Sequence, residues 1–124
     1  MLAFWMENGQ AFWGKVYLAK SEITSLEQAI VSYQKEYGTY PTNLGELVNP
    51  LVNSGHHRQF LTTIPSNPWG GPYHYEVERG ATGPTVKIST VPDNDTQKRI
   101  GVTELSNETN WPTILGKRHT GFWH

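Results

Sequence analysis

From Lys15 onward, Val16, Ala19, Ile23, Leu26, Ile30, Tyr33 and Tyr37 recur at alternating steps of three and four residues. That spacing predicts one apolar stripe along an α-helix of about six turns. Ser21, Glu22, Thr24, Glu27, Gln28, Lys35 and Glu36 fall mostly on the other faces and read as solvated. Gly38 can end the helix in the left-handed conformation, and Pro41 keeps it from restarting. A stripe on one side only requires something to lie against, and a sheet is the expected partner. Leu44, Leu47 and Val48 then suggest a short helix over 43–48, interrupted by Pro50 and followed by a loop through Gly55, His56, His57 and Arg58.

The periodicity drops to two further on. Tyr73, Tyr75 and Val77 alternate with His74, Glu76 and Glu78, and Val86 and Ile88 alternate with Thr85, Lys87 and Ser89. Gly80-Ala81-Thr82-Gly83 lies between them, so a hairpin of two half-buried antiparallel strands is predicted. "PDNDTQKR" reads as a polar loop, "GVTEL" as a further short strand, and the chain from Ser106 as a polar tail with Trp111-Pro112 embedded in it. At the other end, Ala-Phe-Trp occurs at 3–5 and again at 11–13 around Asn8-Gly9. Asn-Gly between apolar flanks is a hairpin signal, and a helical lead-in is the competing reading. Residues 1–14 are therefore set apart as an aromatic segment, and 15–124 as one globular domain of α+β class.

The length of 124 residues suits a single domain. A formal charge of −1 supplies no field for nucleic-acid phosphates, and none is expected as a partner. The absence of cysteine excludes disulfides, thiolate zinc sites and a cysteine nucleophile. No run approaches the roughly 18–20 apolar residues of a membrane span.

Candidate chemistry is sparse. Asp93 and Asp95 flank Asn94 on a loop, and oxygen ligands at that spacing suit calcium or a solvated turn. Thr103 and Glu104 follow at a spacing unlike that of a calcium loop. His56 and His57 lack a third ligand at helpful spacing, and His119 and His124 lie near the chain end. No Gly-x-Ser-x-Gly elbow and no phosphate-cradling glycine loop is present, so enzymatic activity is not expected. "SNPWGGPY" (66–73) allows two readings: Trp69 and Tyr73 as a stacking platform for a ligand, or Pro68, Trp69, Gly70 and Tyr73 as a rigid corner. Its position between a helical region and a hairpin favours the corner, with Trp69 packed on the core.

Two stretches, "AKSEITSLEQAIVSYQKEYGTYPT" (19–42) and "IPSNPWGGPYHYEV" (64–77), together resemble the major pseudopilin of type II secretion systems and its pilin-like relatives. The likeness rests on Leu26-Glu27-Gln28-Ala29, on Tyr33, Gly38, Tyr40 and Pro41, and on the turn from Asn67 to Tyr73, where Asn67 stands for the family's usual Asp. The resemblance implies a pilin-like fold, a long N-terminal helix packed on a small antiparallel sheet with long loops. It implies a non-enzymatic filament subunit that assembles with copies of itself and with other pseudopilins, and the helix stripe is the expected assembly surface. It implies a periplasmic or cell-surface location, with attachment to the inner membrane through an N-terminal apolar helix that this chain lacks. It also suggests Ca2+ at Asp93 and Asp95, although "TQKRIGV" lacks the family's glycines and second acid. The alternative is a pilin-like adhesin or carbohydrate-binding module that uses exposed tryptophans. "ILGKRHTGFWH" has no counterpart in the family pattern.

Overall fold

A computed structural model of the chain describes the backbone of residues 2–49 and 59–122, and side chains over 12–49 and 59–117. His56 and His57, expected in a solvated loop, and the side chains of His119 and His124 lie outside these. Helix α1 spans Leu2–Tyr37. A 3-10 turn follows at Leu44–Leu47, then strands β1 (His74–Gly80) and β2 (Gly83–Thr90), helix α2 (Asn94–Ile100), strand β3 (Leu105–Ser106) and helix α3 (Trp111–Phe122). The three strands form one antiparallel sheet in the order β1-β2-β3. This is the long helix on a small antiparallel sheet that the α+β reading expects.

The periodic stripe of α1 is the core. Val16, Ala19, Leu26 and Ile30 are fully buried, Ile23 and Tyr33 nearly so, and Tyr37 packs at the margin. Phe12 extends the same stripe by one more turn and is buried with it. The backbone is helical through Asn8 and Gly9, so these residues lie inside α1 and not in a hairpin turn. The local turn signal loses because a helix already paid for at its nucleus gains a hydrogen bond with each residue added, whereas an isolated short hairpin has no third strand to support it. At the other end, Gly38 takes φ 76° and its N–H donates to the Gln34 carbonyl at 2.7 Å, closing the helix as its sequence suggests.

The β1–β2 register pairs Tyr75 with Ile88 and Gly80 with Gly83, leaving Ala81-Thr82 as the turn. Alternation puts Ile88 and Thr90 inward on β2. Tyr73, just before β1, is buried and Tyr75 half-buried, but Val77 is exposed on β1, an edge strand. β3 is only two residues long, and the side chain of Asn107 continues its pairing. Its Oδ1 accepts from the Ile88 N–H at 3.0 Å and its Nδ2 donates to the Val86 carbonyl at 2.9 Å.

Two glutamates of α1 that read as solvated charge are ties to the rest of the fold. The Tyr73 hydroxyl donates to Glu22 Oε1 at 2.6 Å, and Asn107 Nδ2 donates to Glu27 Oε2 at 2.7 Å. Burial, with the Glu22 carboxylate beside it, pushes the Tyr73 hydroxyl well above its ordinary pKa. These partners lie 51 and 80 residues away, beyond the reach of local periodicity.

Glu46, in the 3-10 turn, is a buried carboxylate against the far end of α1. It accepts from the Tyr33 hydroxyl at 2.8 Å, from the Thr42 N–H at 2.5 Å and from the Thr42 hydroxyl, while Asn43 Oδ1 accepts from its own N–H. Burial opposes its charge, but the hydrogen bonds from Thr42, from Tyr33 and from the backbone of Thr42 and Asn43 outweigh it and hold the carboxyl below its ordinary 4.5. Burial first, and then Glu46, push the Tyr33 hydroxyl up to about 12.

A carboxyl with a lowered folded-state pKa stabilises the fold above its ordinary value and loses that contribution as pH falls through the folded value. Glu46→Gln is therefore expected to cost about 2 kcal/mol near neutrality, the scale for hydrogen bonds to a charged group. The gap between the variant and the parent should narrow as pH falls below the ordinary 4.5 and through the lowered folded-state value, where the parent's carboxylate protonates. Urea denaturation across that range measures it, and a gap independent of pH would show that the charge at Glu46 is not what holds the turn.

Candidate functional site

No described cleft gathers a set of titratable groups suited to catalysis. An open cleft of about 500 Å³ between the end of α1 and the hairpin is lined by Gln34, Tyr40, Thr42, Tyr75, Glu76 and Arg79, among others. A second, wider one borders Glu27, Val31, Lys35, Val86 and Glu108. Trp69 lines neither. Of the described tryptophans, Trp13, Trp69 and Trp111 all pack partly buried against the core. None of the three stands free as a stacking platform.

The corner at 66–73 is organised by Asn67, which is buried. Its Oδ1 accepts from the N–H groups of Trp69 at 2.9 Å and Gly71 at 2.7 Å. Its Nδ2 donates to Thr90 Oγ1 at 2.6 Å and to the Val91 carbonyl at 3.3 Å. The Thr90 hydroxyl in turn donates to the Pro72 carbonyl at 2.7 Å. One side chain thus closes the turn on itself and pins it to the end of β2. Gly70 stands at φ 91°, and Trp69 lies over the core from this frame. Pro68, Trp69, Gly70 and Tyr73 mark a corner in the sequence, whereas Asn67, the residue that fastens it, stands out there only by replacing the family's usual Asp. A carboxylate could accept the same two N–H groups, but it could not donate to Val91.

The outward side of α1 is different in character. Tyr17, Leu18 and Val31 are among the large hydrophobic side chains left exposed, at 39%, 49% and 40%. The stripe expected to carry assembly, from Val16 to Tyr37, is instead turned onto the sheet. Its members from Val16 to Tyr33 are at most 2% exposed and so cannot meet another molecule while the domain is folded. The periodicity located a buried face correctly, but it does not say whether a stripe is covered by its own chain or by a neighbour.

The family model for type II secretion system protein G matches residues 8–105, a span that runs from α1 to the start of β3. The chain belongs to this family, the major pseudopilin of type II secretion. Comparison with curated proteins returned no match. The match takes in the long helix, the Asn67 corner and the hairpin of this pseudopilin, and α3 lies beyond it.

Calcium at Asp93 and Asp95 has to be judged by the groups that surround them. The segment read as a polar loop contains helix α2, and Asp93 is its N-cap, with Oδ1 accepting from the Thr96 N–H at 2.9 Å. Side-chain and backbone hydrogen bonds from Thr96 hold the Asp93 carboxyl below its ordinary range. Asp95 lies two positions on, about 200° around the helix axis, largely exposed and 3.9 Å from Arg99. Glu104, the next acid downstream, pairs with Lys87 at 2.9 Å. Calcium needs six to eight oxygens converging on one point. Among the described residues, no group of three or more His, Cys, Asp or Glu is gathered in that way. The carboxylates present do not fit such a cage.

The corner yields a graded test. Asn67→Ala, which removes both the acceptor and the donor, should cost about 3 kcal/mol. Asn67→Asp, which keeps the acceptor for Trp69 and Gly71 but not the donor, should cost about 1–2 kcal/mol. Chemical denaturation gives both values. An Asn67→Asp protein as stable as the parent would mean that donation to Thr90 and Val91 contributes nothing.

Proposed function

We propose that this chain is a non-enzymatic structural subunit of a pseudopilus-like filament, positioned in the periplasm and assembling with copies of itself and with other pseudopilins. The family membership carries the proposal. The division of α1 into two faces supports it. One face is consumed by the chain's own sheet, and the remaining surface of the rigid rod leaves Tyr17, Leu18 and Val31 exposed at different angles around it. Apolar side chains held outward on a preformed helix lose little freedom when a neighbour covers them. The partial burial of the described tryptophans, Trp13, Trp69 and Trp111, against the core weighs against the alternative of an adhesin that reads carbohydrate with exposed tryptophans. No helix among the described residues is long and apolar enough to cross a membrane.

The absence of cysteine makes introduced thiols unambiguous reporters. Leu18→Glu combined with Val31→Glu should abolish filament assembly while changing domain stability by no more than about 0.5 kcal/mol for each site, as for surface substitutions generally. Single cysteines at 18 or 31 should form cross-links between copies in assembled filaments. Normal filaments from the double-glutamate variant, observed by electron microscopy, would remove this face of α1 from the assembly surface.

A further inference from the structure

The region from 93 to 104 raises its own question. The family likeness suggests a bound cation on this loop, and here three of the oxygens around it already have a donor from the chain. Thr96 N–H is on Asp93 at 2.9 Å, Lys87 is on Glu104 at 2.9 Å, and Lys117 Nζ donates to the Ile100 carbonyl at 2.6 Å. We propose that α3, which lies outside the family match, takes over the tie with a tethered cation, so that Lys117 anchors α2 and the domain needs no calcium there.

The geometry supports this at each step. The last carbonyls of a helix have no partner within it, and a positive charge is favoured at that end. Lys117 meets the last residue of α2, where both conditions hold. Gly101 closes α2 in the left-handed conformation, with φ 80° and its N–H donating to the Gln97 carbonyl. It also leaves room for the ammonium, because a Cβ at this position would stand 2.7 Å from Lys117 Nζ. The lysine is delivered by a docked element. Asn110 Oδ1 accepts from the Thr113 N–H at the start of α3, Trp111 Nε1 donates to the Ser106 carbonyl, and Ile114, three residues before Lys117 on the same helix face, is buried. From its other side α2 reaches α1, with the Arg99 guanidinium 3.7 Å from the centre of the Phe12 ring. A seven-residue helix too short to be stable alone is in this way fastened to the helices on both sides of it. The inference concerns the stability of the domain and is independent of how, or whether, it assembles.

Thermal melts of the full chain in millimolar calcium and in excess chelator require no variant and should superimpose. A melting temperature that rises with calcium would overturn the proposal, since a ligand bound only by the native state must stabilise it. Lys117→Met should lower the melting temperature by roughly 4 °C or more in both buffers alike, and hydrogen exchange should speed up most at the amides of 97–101. An unchanged melt for Lys117→Met would equally overturn it. Asp95→Asn, which leaves the tie intact, should melt with the parent. If Lys117→Met does not fold, the two wild-type melts and the Asp95→Asn protein still decide the matter, because a loss of stability in Asp95→Asn seen only in calcium would mark a metal ligand.

Discussion

The fold depends on covering one apolar stripe with too little sheet. From Phe12 to Tyr37 the stripe runs about 38 Å along α1, whereas strands of seven or eight residues span only about 25 Å. The sheet therefore cannot cover the helix alone, and β3, with two residues, adds little width. The ends of the stripe are covered by irregular pieces. The 3-10 turn and Phe60 close over Tyr33 and Tyr37, whose rings meet at 4.7 Å, while α2 closes over Phe12. Each such piece is too small to be held by its own hydrophobic contacts.

That shortage explains why buried or half-buried polar side chains recur at the joints. Loops have no ladder to satisfy their backbone groups, and buried N–H and C=O groups must be paired somewhere. Asn67 serves the corner, Asn107 the edge of β2 and Glu46 the turn after α1, while an exposed side chain, Asp93, caps the start of α2. Asn67 and Asn107 act through a donor and an acceptor on one planar group, so that Asn67 joins its own turn to the end of β2 and Asn107 joins β2 to the Glu27 side chain of α1. No buried side-chain nitrogen or oxygen among the described residues lacks a partner. The arrangement holds because each joint is fully satisfied. A half-satisfied one would be worse than an apolar contact.

The same distinction separates what could be read along the chain from what could not. The stripe of α1, its stop at Gly38 and the β1–β2 hairpin follow from periods of four residues or fewer and from local backbone chemistry, and they stand where the pattern put them. α2 escaped because seven residues make too few turns for periodicity. Only its ends, Asp93 and Gly101 around the buried Ile100, carried a signal, and a helix start was legible there as readily as a metal loop. α3 hid in a polar tail whose buried anchor is Ile114. Asn67, Asn107, Glu22 and Glu27 could not be recognised as ties, since the partners that tie them to other elements are 19 to 80 residues distant and a solvated polar side chain looks the same in sequence.

The burial of the stripe bears on how such a subunit can be built. A helix that used one face for both folding and assembly would expose its core whenever it was alone, and would aggregate before it reached a neighbour. In the proposed assembly the sheet takes the folding face and the exposed remainder of the helix meets other molecules, which removes that conflict. It also means that the two tasks answer to different residues. Changes along Ile23, Leu26 and Ile30 act on whether the domain exists, through cavities in a close-packed core. Changes at Tyr17, Leu18 and Val31 act on what a domain already folded can meet, because these side chains contribute little to the core that the sheet encloses.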